Sequence, residues 1–216
     1  MREIGFILFG WLFGLFSKPL SDTMMSFFCG PRLRLDFDGQ QEEFCIRTPV
    51  EPELQHQKPR EAYFVRIRVR NNRGWRKWSI RSIRKCRGYL VDVRRKDLQT
   101  GKFEPVGYCD NIPLKWSYID AADSQEGLDI SDGVDQYLNV VATFSNRPDF
   151  VPELTTIPFR YRLLFDPAAS LPHGQANGFA LCLTIRVCAE ELNPQEMKTV
   201  VEWYGSWDNF KAYRLN

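Results

Sequence analysis

Arg66, Arg68 and Arg70 stand two residues apart in YFVRIRVR and alternate with Val65, Ile67 and Val69. Successive side chains of a strand point to opposite faces, so this spacing predicts a half-buried strand with guanidiniums on one side and apolar groups on the other. A row of guanidiniums suits oxyanion recognition, because each is planar, permanently charged and rich in donors. Just downstream, Trp75 and Trp78 are interleaved with Arg73, Arg76, Lys77 and Arg81. That mixture can stack on bases and neutralise phosphates, or it can cover the edge of a sandwich. These nine residues form the candidate binding set. Residues 60–102 hold fifteen Lys or Arg against three acids, a segment charge of +12, although the whole chain carries only +2. Such polarity can steer an anionic partner to one region.

Signs of catalysis are missing. His56 and His173 are the only histidines, and both sit in Pro-rich or Gly-rich loop text outside any HExxH spacing. No GxSxG elbow, phosphate-binding glycine loop or dinucleotide fingerprint occurs. Cys29, Cys45, Cys86, Cys109, Cys182 and Cys188 form no CxxC pair, so zinc has no evident ligand set and buried free thiols are the simplest reading. Asp120, Asp123, Asp129, Asp132 and Asp135 could offer oxygen to calcium, but their spacing is not that of an EF-hand. They read first as a solvated loop, with pairing to the basic segment as the alternative. A non-enzymatic protein without cofactor or metal is the expectation.

The elements that must position these residues are strands. PRLRLDF at 31–37, YFVRIRVR, GYLVDVRR at 88–95, YLNVVATF at 137–144 and FALCLTIRVCAE at 179–190 all carry period-two patterning. In the last of these, Leu181, Leu183, Ile185 and Val187 should face the core. Phe44 to Ile46 begins a further strand, residues 48–60 with three prolines read as a linker, and LQTGKFEPV reads as a hairpin. KTVVEWYGSWD at 198–208 should pair back across ELNPQEM as a final hairpin. About seven to nine strands without βα alternation predict an all-β, two-sheet antiparallel sandwich over residues 31–216. One face of such a sheet can stay wet while the other is buried.

Residues 1–30 are a separate hydrophobic segment. IGFILFGWLFGLF at 4–16 is uncharged, and only Lys18 and Asp22 interrupt the wider stretch to Phe28. A helical span needs about 20 mostly apolar residues, so the first run alone is short. A membrane anchor, a signal-like start and a helix docked on protein all remain open. A spanning segment followed by Arg32 and Arg34 would place the domain on the cytoplasmic side.

YFVRIRVRNNRG, CRGYLVDV and the terminal LCLTIRVCAEELNPQEMKTVVEWYG resemble an Ig-like β-sandwich of the broad cell-adhesion-related type. The whole chain is similar to uncharacterised prokaryotic membrane-anchored proteins in which an N-terminal hydrophobic segment leads into such a domain. The resemblance implies no catalytic residue. The hydrophobic segment and the +12 stretch together point to a membrane-associated module that binds a protein partner or an anionic lipid surface; the alternative is a nucleic-acid-binding module using residues 60–102.

Overall fold

The computed structural model describes residues 31–50, 60–72, 82–97, 100–106, 111–119, 121–145, 153–155 and 179–215. Residues 4–28, His56, His173, Cys29 and Cys109 lie outside them, as do the basic candidates Arg73, Trp75, Arg76, Lys77, Trp78 and Arg81. The elements are β1 (Leu33–Asp36), β2 (Cys45–Val50), β3 (Arg60–Asn71), β4 (Ile83–Lys96), β5 (Phe103–Pro105), β6 (Ile112–Pro113), α1 (Ala121–Glu126), β7 (Leu128–Ile130), β8 (Asp135–Phe144), β9 (Glu153–Leu154), β10 (Phe179–Ala189), β11 (Leu192–Trp203) and β12 (Phe210–Leu215). The first sheet runs β1-β3-β8-β9 with β2 also on β3; the second runs β12-β11-β10-β4-β5, with β6 and β7 also on β4. Every ladder between these strands is antiparallel. The protein is therefore all-β, with the two-sheet sandwich-like architecture that the alternation predicts.

One core joins the sheets. Leu33, Leu35, Val65, Ile67, Val69 and Leu138 from the first sheet belong to the same buried cluster as Leu90, Val93, Leu183, Ile185, Val187 and Val201 from the second. Leu181 also belongs to it, so the predicted inward set of β10 faces the core as expected. Gly88 on β4 lets the layers approach: a β-carbon there would fall 2.3 Å from the Leu138 side chain.

β1 and β2 lie end to end along the same side of β3. Asp36 pairs with Arg68, and the ladder resumes where Cys45 pairs with Val65. Residues 37–44 leave the sheet opposite Arg66 and Ile67, and return with the Arg66 amide donating to the Phe44 carbonyl at 2.9 Å. This excursion has its own small frame. Asp38 accepts from the Gln40 amide at 3.1 Å and from the Gln41 side chain at 2.8 Å, and Phe37 meets Phe44 edge to face at 5.5 Å. Its tip reaches the second sheet, where a β-carbon on Gly39 would run into the Ala212 carbonyl of β12. The excursion is thus a strap across the sandwich.

Three sequence expectations need correction. Thr48 to Val50 are strand, not linker; Pro49 is accommodated because β2 pairs only with β3 and leaves its other side open. Leu192 to Met197 are strand rather than connection, since β10 turns tightly through Glu190 and Glu191, the latter at φ 60, and Pro194 falls beside the register shift between Val187 and Ala189. The last pairing is made by β12, beyond residue 208, whose alternation in FKAYRL is obscured by the turn residues SWDN before it and by its own Lys211 and Arg214.

Candidate functional site on the outer face of the first sheet

Outward residues of three adjacent strands meet in register on the face away from the core. Arg66, Arg68 and Arg70 of β3 stand opposite Asn139, Tyr137 and Asp135 of β8. On the other side Asp36 of β1 faces Arg68, and Arg34 faces Arg70. The β8 register slips at Arg66, so that Val140 has no partner and the face bends there.

The guanidiniums are matched by carboxylates from three separate parts of the chain. Arg68 donates to Glu43 Oε1 at 2.7 Å and lies 3.7 Å from Asp36 and 3.6 Å from Asp135. Arg70 Nε stands 2.9 Å from Asp36 Oδ2, an ion-pair distance without hydrogen-bond alignment, and 3.8 Å from Asp135. Arg34 holds the other oxygen of Asp36 at 2.8 Å. Glu43 is the hub: its second oxygen accepts from the Tyr137 hydroxyl at 3.0 Å, and its backbone carbonyl accepts from Arg66 Nε. Burial, followed by that Glu43 bond, pushes the Tyr137 phenol up. The face is therefore not the open basic surface that the alternation alone suggests. Among the Asp residues singled out in the sequence, Asp135 joins this network, while Asp129 accepts from the Lys85 amide and Asp132 bridges to Asn71.

Arg66 is the covered member, with 6% of its surface exposed. Its guanidinium stacks on the Tyr137 ring at 4.2 Å, and Nη1 reaches the Tyr118 hydroxyl at 3.5 Å. Tyr118 comes from the 117–119 turn, which is tied to β8: the Ser117 amide donates to the Tyr137 carbonyl at 2.8 Å and its hydroxyl to Asn139 at 2.6 Å. The tyrosine is 84% exposed and sits at φ 62, a left-handed conformation costly for a bulky residue. It also lines a concavity of about 460 Å³ with Ile119, Asp123, Glu126, Gly127 and Leu128.

Asp36 could have been inferred from sequence, because it alternates with apolar residues in LRLDF, and Asp135 only through its place two residues before Tyr137 in DQYLN. Glu43 and Tyr118 could not, since both come from irregular segments. Among the described residues no group of three or more His, Cys, Asp or Glu is placed to hold a metal ion. Cys45, Cys86, Cys182 and Cys188 are free thiols. Burial pushes Cys86 up to about 12, which keeps it neutral and unreactive at ordinary pH.

No family model, curated protein or solved structure matches the chain. Among the described residues no helix is long and apolar enough to cross a membrane. What the site can do follows from its own geometry: a rigid, half-buried polar face offers matched charges, one stacked guanidinium and one exposed aromatic ring.

Proposed function

We propose that this chain is a non-enzymatic β-sandwich module that binds a protein, with residues 4–28 holding it at a membrane. The observation that carries the reading is the matching of Arg68 and Arg70 by Asp36, Glu43 and Asp135. A polyanionic surface would have to displace those carboxylates, whereas a protein surface can meet a face of mixed sign with complementary polar groups. The Ig-like assignment belongs to this proposal too, supported by the two antiparallel sheets and by the terminal β10 to β12 meander. Membrane attachment rests on the uncharged run at 4–16.

Photo-crosslinking from position 118 tests the binding partner. With Tyr118 replaced by a benzophenone amino acid in the full chain and illumination on native membranes, a discrete adduct with one polypeptide is expected. An adduct with lipid or nucleic acid alone would overturn the reading in favour of an anionic-surface or nucleic-acid module. Fractionation beside a chain beginning at Pro31 tests the anchor: only the full chain should resist high-salt and carbonate washes, and equal solubility of both would reject anchoring.

A further inference from the structure

Among the described residues, four guanidiniums share the outer face with three carboxylates, so one guanidinium there is without an ionic partner. Arg34, Arg68 and Arg70 each have a carboxylate oxygen within 2.9 Å. Arg66 has none within ion-pair distance among the described residues, although it is the most buried of the four. Among the described residues its Nε is committed to the Glu43 carbonyl, Nη1 has only the long contact with Tyr118, and Nη2 makes no hydrogen bond. A largely buried guanidinium given a ring face and one carbonyl lacks the ionic partner that buried charges ordinarily have.

We propose that Arg66 is an anion anchor that takes a single carboxylate from an acidic side chain of a protein partner, entering past Tyr118. The two Nη groups offer the parallel donors that a carboxylate's two oxygens match. Larger polyanions fit poorly. The neighbouring arginines are already paired, Glu43 lies beside the anchor, and the concavity on Tyr118 carries Asp123 and Glu126, whose charges would repel a strand of phosphates or an anionic membrane. Tyr118 is the gate, since its ring is exposed and its hydroxyl is held only at 3.5 Å.

This inference rests on the protein-binding reading for the source of its carboxylate, and its test does not need the partner. The full chain with ¹⁵N-labelled arginine is titrated with N-acetylaspartate amide and, separately, with inorganic phosphate, at constant ionic strength, following the Arg66 side-chain resonance. A saturable shift at Arg66 with the carboxylate, leaving Arg68 and Arg70 unmoved, is expected. Tyr118→Gly, which suits the left-handed backbone and removes the gate, should bring saturation about 2- to 10-fold earlier. No saturation in either the parent or Tyr118→Gly, or equal movement of all three arginines, would overturn the anchor. Saturation by phosphate at lower concentration than by carboxylate would overturn the carboxylate assignment, while a polypeptide adduct at position 118 would still uphold protein binding.

Discussion

The outer faces of the two sheets carry the same kinds of residue and treat them differently. On the second sheet Arg94 pairs with Asp92 two positions away, and Arg186 with Glu196 directly across the ladder, with Arg186 34% and Glu196 48% exposed. On the first sheet Arg68 is 18% and Asp36 15% exposed, and Arg68 and Arg70 draw on carboxylates from other strands or from the strap. VRIRVR and LVDVRR look alike as text. What separates them is a strap and a turn that fold over one face and not the other, so pairs of similar length hold very different stakes: exposed ones contribute little, while removing one member of a covered set strands the rest.

The largest effect should come from the strap itself. Gly39→Ala places a methyl against the Ala212 carbonyl and should lower stability by about 3 kcal/mol in urea denaturation. A loss under about 1 kcal/mol would mean that the strap yields freely and that the faces differ for another reason. Next, Arg68→Gln should cost about 2 kcal/mol, because Glu43, Asp36 and Asp135 lose their shared cation. Arg186→Gln on the open face should cost less than about 1 kcal/mol. Equal losses for this matched pair would erase the contrast.

A comparably small effect concerns the interior common to both faces. Cys86 and Tyr63 are each pushed up to about 12, chiefly by burial. Both are neutral when protonated, so the folded state holds their protons at pH values where the unfolded chain has released them. Their contribution is whole below the ordinary thiol and phenol values and falls as pH rises towards about 12. Melting curves should show a decline of about 1 kcal/mol between pH 8 and 10, and a flat profile would contradict burial of these groups.

Much of this architecture is legible in the sequence because strands write their burial with a period of two. Ile67 and Val69 announce the inner face of β3, as Leu183 and Ile185 do for β10. The candidate site was half legible. Alternation places Arg66, Arg68 and Arg70 on one side, but it is silent about what lies over them, since Glu43 and Tyr118 come from segments without a period and reach the arginines across 25 and 52 positions. Pro194 misled for a related reason: a proline reads as a break, yet a bulge can hold it within a strand.

The strap also bears on how the chain folds. Just after it, Arg47 of β2 meets Asp208 across 161 positions at 2.6 Å, beside the end of the sandwich where Gly39 touches β12. Contacts between distant parts of a chain carry a loop-closure cost, and we expect this one to lock only after the sheets have paired. Locking the strap is then a late event, and the destabilisation by Gly39→Ala should appear mainly as faster unfolding, with the refolding rate nearly unchanged.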